Sequence, residues 1–339
     1  VEAAFGYTVA GMAADLERIA RRLRERVEGA VESELFTPEE QFYGPARLSY
    51  DQFRRAMCLK AELLREFQGA RLEECYQTEV IRNEYGSCLK ILHHVPLELP
   101  LGDPEGIRRE LRSELRLLYG IGPAVEESLR ALGYQTLEDL SRHPRWGEEA
   151  RRLIRELQEG DLRKLQGLVH RWFPVSHPLG VKLFGLVPKE RLRFFDLESL
   201  GLFGRPVVLL GLARPRDGGL QIQEYLARDI LEELPAIIEI ARELGTQPAL
   251  VTYNGRAFDM NFLRERLSYY GLYMELEPVH LDLLPHARRR FRGLLPAVRL
   301  ETVERCFGLE RTIDLPSSLV PDFYNTYLET GNIGPLIPI

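Results

Sequence analysis

The sequence predicts an α/β protein in which a mixed sheet flanked by helices fills the C-terminal half and a mainly α-helical region precedes it. Three observations predict this. From about residue 191, apolar strands alternate with amphipathic helices, three strands first and then helix, strand, helix, strand, helix, which is a mixed-sheet order. Between residues 106 and 158, apolar residues instead recur at helical spacing. The length of 339 residues exceeds one small domain, so the chain divides into two or three units. The boundaries read as 1–105, a mixed region of unknown role; 106–170, helical; and 171–339, the α/β domain.

Residues 10–30 read as an amphipathic helix. Leu16, Ile19, Leu23 and Val27 line one face, and Arg18, Arg21, Arg22, Arg24 and Arg26 the other. That basic face reads as solvated, with phosphate contact as the alternative. Residues 48–68 are helical again. Residues 78–81 and 88–93 form short strands around Asn83-Glu84-Tyr85-Gly86, a hairpin. A proline-rich link, residues 96–104, follows.

In the helical region, Leu111, Leu115, Leu117 and Leu118 precede Gly120-Ile121-Gly122-Pro123. A helix over 124–132 ends at Gly133. Thr136 then caps another, with Asp139 at the reciprocal position. Further helix runs over 147–158. In the C-terminal half, strands are expected over 191–197, 207–213 and 220–227, the last two joined around Asp217-Gly218-Gly219. A helix over 230–244, a strand over 249–253, a helix over 259–270, a strand over 278–281 and helices near 284–292 and 299–307 complete the pattern. Asp314 and Asp322 read as turn residues of a proline-rich loop.

The composition narrows the function classes. A net charge of −6 excludes a protein that coats nucleic acid by bulk charge, though not local basic patches. All but five of the 45 basic residues are arginine. Arginine grips phosphate bidentately, but base composition of the gene or a hot habitat is the plainer explanation of such a bias. Cys58, Cys75, Cys88 and Cys306 form no close pair, so free thiols in a reducing cytoplasm are expected, with a zinc site from the first three as the weaker alternative. No apolar run approaches the ~20 residues that span a bilayer. The segment 16–26 is charged rather than the apolar core of a signal peptide.

Two constellations carry chemistry. The first is Leu118-Tyr119-Gly120-Ile121-Gly122-Pro123-Ala124-Val125-Glu126 with Leu129, Leu132 and Gly133, then Thr136-Leu137-Glu138-Asp139-Leu140. It resembles a helix-hairpin-helix DNA-binding motif. Two glycines permit a tight turn, and the next helix offers unpaired N–H groups to a phosphate. Gly120, Ile121 and Gly122 are the expected contacts. The alternative is a plain helical corner, and Glu126 and Glu127 in the first turn would repel phosphate if they faced it.

The second is Arg193-Phe194-Phe195-Asp196-Leu197-Glu198. Residues two apart on a strand share a face, and acids ending an apolar strand are costly unless solvated or bound to a cation. A hard divalent ion suits such oxygens. It is matched by Leu250-Val251-Thr252-Tyr253-Asn254-Gly255-Arg256-Ala257-Phe258-Asp259, where a strand turns at Asn-Gly and an aspartate opens a helix. Together with His280-Leu281-Asp282-Leu283-Leu284-Pro285-His286 and Leu300-Glu301-Thr302-Val303-Glu304, these residues resemble the DEDD 3′–5′ exonuclease superfamily, within it the YprB-like group, whose fold is RNase H-like.

The resemblance covers residues 190–335. It implies a metal-dependent exonuclease that hydrolyses the phosphodiesters of DNA or RNA, acting on a single strand or a 3′ end. Two Mg²⁺ or Mn²⁺ ions would be held by Asp196, Glu198 and Asp259. Asn254 and Phe258 would meet the substrate, and Arg288 and Arg289 would hold its phosphates or simply face solvent. Asp282 either joins the metal set or caps a helix, and His280 and His286 are either bases or, as lone histidines more often are, structural. The resemblance also implies a fourth aspartate in a His-Asn-x-x-Asp segment beyond a stretch like Tyr327-Leu328-Glu329-Thr330-Gly331. The sequence ends at Ile339 without one. Either the natural chain continues, or the protein is a catalytically weak nucleic-acid-binding scaffold or an interaction module of a repair complex.

Overall fold

The computed structural model describes residues 49–202, 204–309, 311, 313 and 315–339. The helix expected over 10–30, with its arginine face, lies outside the described residues, as does Asp314.

Helix α1 (Tyr50–Glu66) starts at Ser49, whose hydroxyl accepts from the Gln52 N–H while the Gln52 side chain accepts from the Ser49 N–H. That exchange satisfies two first-turn donors. One turn, α2 (Leu72–Cys75), leads to the hairpin β1 (Gln77–Asn83) and β2 (Gly86–Pro96), with Asn83 opposite Gly86.

The helical unit contains α3 (Pro104–Ser113), α4 (Pro123–Ala131), α5 (Leu137–Leu140), α6 (Gly147–Glu159), α7 (Leu162–Trp172) and α8 (Pro178–Leu183). Asp103 caps α3 with Pro104 in its first turn, and Thr136 with Asp139 forms the capping box of α5. Leu111, Leu115, Leu118, Leu129, Leu140 and Leu153 fill the core of this unit.

Strands β3 (Leu192–Ser199), β4 (Val207–Arg216) and β5 (Gly219–Leu226) form an antiparallel meander. Asp217 and Gly218, both at positive φ (50° and 78°), close the β4–β5 turn, as a two-residue hairpin loop requires. Then come α9 (Glu233–Gly245), β6 (Ala249–Thr252), α10 (Asp259–Tyr269), β7 (Val279–Asp282), α11 (Leu283–Phe291), α12 (Leu300–Cys306) and α13 (Val320–Thr330). The sheet order is β1-β2-β5-β4-β3-β6-β7. Strand β3 pairs antiparallel with β4 and parallel with β6, and β6 is parallel to β7. The hairpin β1–β2 joins the far edge, with β2 antiparallel to β5 in the register Leu89 to Leu226. Residues 50–96 therefore supply two strands and a helix to the same sheet and core as residues 192–339.

Helices α9 and α10 cover one face of the sheet over Phe195, Leu197, Leu210 and Leu250. On the other face, α1 and α13 pack over the hairpin half through Leu63, Leu89, Val208, Phe323 and Tyr324, while Phe184 and Val187 pack on Leu192, Val251 and Leu281. A buried ion pair locks the α9 layer. Both guanidinium–carboxylate contacts between Arg266 and Glu233 are short, 2.7 and 2.6 Å, and Tyr270 Oη and the Val207 N–H donate to the same carboxylate.

One expectation fails. Asp322 is not in a proline-rich loop but in the first turn of α13, where it pairs with Lys60 at 2.6 Å. Pro321 opens the helix rather than breaking it, because the N–H it lacks has no partner in a first turn anyway. The four cysteines are all free, and no His, Cys, Asp or Glu cluster among the described residues forms a zinc site. Among the described residues no helix is long and apolar enough to cross a membrane.

Candidate active site

Strand β3 carries its apolar and acidic residues on opposite faces. Phe195 and Leu197 enter the core under α9 and α10, so Asp196 and Glu198 project from the other face. They stand at the end of β3, past its last pairing with β6 at Phe194–Val251. Here β3 runs to β4 on one side, while the chain re-enters on the other at β6. In open α/β sheets such a reversal opens a crevice at the strand ends.

Asp259 arrives from β6 through a tight turn. Asn254 adopts a left-handed conformation, φ 71°, and its carbonyl accepts from both the Ala257 and Phe258 N–H groups. A side chain at Gly255 would place its Cβ 2.5 Å from Thr252, so only glycine fits against that strand residue. The Asp282 carboxylate fastens the turn from beside it, accepting from the Asn254 N–H at 2.8 Å and the Arg256 N–H at 3.1 Å. It also accepts from the Leu284 N–H and so caps α11. With both oxygens engaged by backbone donors, Asp282 organises the turn.

Asp259 is thereby delivered to Asp196. The two carboxyls lie within hydrogen-bonding reach of each other, and the Leu197 N–H faces both. Asp259 is 3% exposed, and its Oδ1 has no hydrogen-bond partner. Asp196 is exposed to solvent although protein crowds around it. Burial, then the Asp196 charge, pushes Asp259 up to about 8. Burial, then Asp196, pushes Glu198 up to about 7, with Arg311 pulling the other way. Asp196 itself is raised by burial.

A buried carboxyl oxygen without a donor, opposite a second carboxyl and near a third, is the arrangement a hard cation would relieve. The donor set, all oxygen, fits Mg²⁺ or Mn²⁺. Among the described residues, however, no three acidic, His or Cys side chains already converge on one ion-sized point. Asp196 and Asp259 meet; Glu198 stands within electrostatic reach of both.

The remaining candidates distribute as follows. Phe258 packs on Phe262, with ring centroids 5.4 Å apart, beside the Asn254 turn. Arg288 and Arg289 are exposed on the last turn of α11. The charge of Arg288 reaches Tyr253, whereas that of Arg289 reaches His177 in the helical unit. His280 is buried and pairs with Thr252 Oγ1 at 2.8 Å; burial, then Arg256, pushes it down to about 4. It is a neutral structural group, not a base at the acids. His286 faces Gly180 and His177 instead of the acids. No local pattern points to Arg311, whose field reaches Asp196 and Glu198 across more than a hundred residues while it pairs with Glu304 at 2.7 Å.

At the helical hairpin, Gly120 takes φ 78°, and Gly122 is the N-cap of α4 with no side chain satisfying the first N–H groups. Ile121 is buried and ties to the Leu118 carbonyl. The feared repulsion from Glu126 does not arise as expected. Its carboxylate is turned between Arg116 and Arg130, at 3.0 and 2.8 Å.

Residues 193–339 match the RNase_H_2 family model, of the RNase_H superfamily. No curated protein matches the chain. The mixed sheet flanked by helices and the family match agree, and the α/β domain is RNase H-like.

Proposed function

We propose that this protein is a metal-dependent nuclease that hydrolyses phosphodiester bonds of DNA or RNA, as a 3′–5′ exonuclease of the DEDD type within the YprB-like group. The observation that carries the reading is the meeting of Asp196 with Asp259, whose buried Oδ1 lacks any donor. An RNase H-superfamily domain points in the same direction, towards nuclease-type chemistry on nucleic acid.

Asp196, Glu198 and Asp259 would hold Mg²⁺ or Mn²⁺, two ions in the full site. Bound there, the ions would lower the pKa of an attacking water and stabilise charge on the leaving oxygen. The protein's own part is positional. The turn from Asn254 to Phe258 holds Asp259 in place, and burial with the Asp196 charge favours its protonated form until a cation displaces the proton. Asn254 and Phe258 stand beside Asp259 and would orient the terminal nucleotide. Arg288, exposed next to Tyr253, would hold a phosphate.

The helical hairpin at Gly120, Ile121 and Gly122 would grip the backbone without reading sequence. Its support is the uncapped start of α4 and the inward turn of Glu126.

The absence of a converged three-ligand set among the described residues favours a second reading, a catalytically weak nucleic-acid-binding scaffold. Digestion of 3′-labelled and 5′-labelled single strands in Mn²⁺ separates the two. Stepwise loss from the 3′ end that disappears in Asp196→Ala supports the nuclease. Equal degradation by Asp196→Ala removes the site, and binding without degradation by wild-type protein favours the scaffold.

A further inference from the structure

A second cluster of charge lies at the seam between the helical unit and the β7 edge. There Arg163 and Gln166 of α7, Arg256 of the active-site turn, Met260 and Arg264 of α10, and the segment Glu277-Pro278 with His280 line a cavity of about 390 Å³. Three arginines enter it. Each is held by a main-chain carbonyl: Arg163 by Glu277, Arg256 by His280, and Arg264 by Leu276 at 2.8 Å.

These contacts fix the guanidinium groups; the Asp282 carboxylate acts on Arg256 through its field, but its oxygens are taken by three backbone N–H donors. Among the described residues neither Arg256 nor Arg264 has an ion-pair partner, and Arg163 has only Glu277, at 3.5 Å and largely exposed. His280, the other titratable group in the lining, is held neutral by burial. Arg264 also reaches Asn261 Oδ1 at 3.4 Å and Arg163 the Glu277 carboxylate at 3.5 Å, but a guanidinium has five N–H donors, so most remain unused. Like charges gathered in one cavity repel unless an anion joins them. A tetrahedral oxyanion matches several guanidinium forks at once.

Placement selects the anion. Arg256 is three residues before Asp259, on the rim of the acid site, and Arg264 lies one and a half turns further along α10. The cavity thus takes its lining from the turn that precedes Asp259 and from α10, over roughly 8 Å of helix beyond it. That is about two phosphate steps of a stacked strand.

We propose that Arg163, Arg256 and Arg264 form a phosphate subsite that holds a non-scissile phosphodiester of the nucleic-acid strand next to the acid site. The proposal rests on the nuclease reading for its ligand, but it is measured by binding alone. The seam places one arginine from the helical unit beside two from the RNase H-like domain, so strand binding would also brace the two units.

The test uses the full chain in EDTA and fluorescein-labelled oligothymidylate, with affinity followed by anisotropy across a salt series. Arg264→Gln and Arg163→Gln should each weaken binding about tenfold and each reduce the salt slope by about 0.7. Glu277→Gln, which removes the one carboxylate in the lining, should tighten binding, an effect that misfolding would not produce. Inorganic phosphate as competitor distinguishes sources: displacement of the strand only at concentrations far above that of the oligonucleotide is expected, and saturation by phosphate alone at low concentration would reassign the cavity to a free anion and overturn the proposal. Unchanged affinity and slope in both arginine variants would also overturn it. The nuclease reading is judged separately. Loss of cleavage in Asp196→Ala with unchanged binding in Arg264→Gln leaves the nuclease and removes the subsite; weaker binding in Arg264→Gln with no cleavage by wild type leaves the subsite and removes the nuclease.

Discussion

The side-chain amide of Gln166 makes two hydrogen bonds with the backbone of His280: Nε2 donates to its carbonyl at 2.9 Å, and the His280 N–H donates to Oε1 at 3.4 Å. Gln166 thereby occupies backbone groups that β7, the last strand of the sheet, would otherwise leave open. The contact continues inward. The His280 ring meets Thr252 Oγ1, which accepts from the Gly255 N–H at 3.1 Å, and Gly255 belongs to the turn that delivers Asp259. Hydrogen bonds thus connect the helical unit to the turn that carries Asp259.

Removing the amide should loosen that line. Gln166→Leu is expected to cost about 1–3 kcal/mol, because it leaves the buried His280 N–H of β7 unpaired, while the His280 carbonyl keeps only Arg256 as a donor. Urea unfolding checks the loss, and hydrogen exchange should show His280 and its neighbours in β7 losing protection. Wild-type protection there would mean that the contact holds nothing.

The turn at Gly255 is predicted to tolerate no side chain. A Cβ there meets Thr252 at 2.5 Å on both Cβ and Oγ1, so Gly255→Ala must displace the turn that positions Asp259. A misplacement of about 1 Å can reduce turnover on the order of a hundredfold. Steady-state cleavage should show that fall with folding retained. Full activity in Gly255→Ala would detach the turn from the chemistry.

The Glu233–Arg266 pair is expected to dominate the stability of the α9–α10 layer. Glu233 is fully buried and accepts from Arg266, Tyr270 and the Val207 N–H. Arg266→Met strands that carboxylate, and breaking a buried pair in this way costs about 3–5 kcal/mol. The double variant Arg266→Met with Glu233→Gln should recover part of the loss. Chemical denaturation measures both, and additive losses would contradict the coupling.

The acids set a pH dependence with a definite sign. Asp259 and Glu198 hold protons up to about 8 and about 7, whereas an unfolded carboxyl releases its proton near 4. Between those limits the folded state binds more protons than the unfolded state, so the cation-free protein loses stability as pH rises through that window. A divalent cation displaces the protons, so its stabilising effect should grow over the same range. Melting curves in EDTA and in Mn²⁺, at about pH 5.5 and about pH 8.5, test both. A cation-free melting temperature that rises with pH would refute the assignment.

Much of this was legible in the sequence, for local reasons. Alternation placed β3, β4 and β5 to within a few residues, and the two-residue spacing of Asp196 and Glu198 placed them on one face. Asn254-Gly255 signalled a turn because its geometry needs a left-handed residue and a bare one. What stayed hidden was long-range. Nothing near residues 77–96 says that β2 will pair with β5, since that register is set only in the folded sheet. Gln166 looks like any polar residue on a helix until β7 arrives beside it. Arg163 and Arg264 were lost among many arginines, because an electrostatic cavity exists only once three separate elements meet. Helix α13 was hidden behind Pro321, which reads as a breaker although it starts the helix.

We propose above all that Asp196 and Asp259 together form a cation site. Titration of free Mn²⁺ by electron paramagnetic resonance tests it most directly, with wild type beside Asp259→Asn, a change that keeps the shape and removes the charge. Saturable Mn²⁺ binding by the wild type is expected, with an affinity at least about tenfold lower in the variant. Equal Mn²⁺ binding by the two proteins would contradict it.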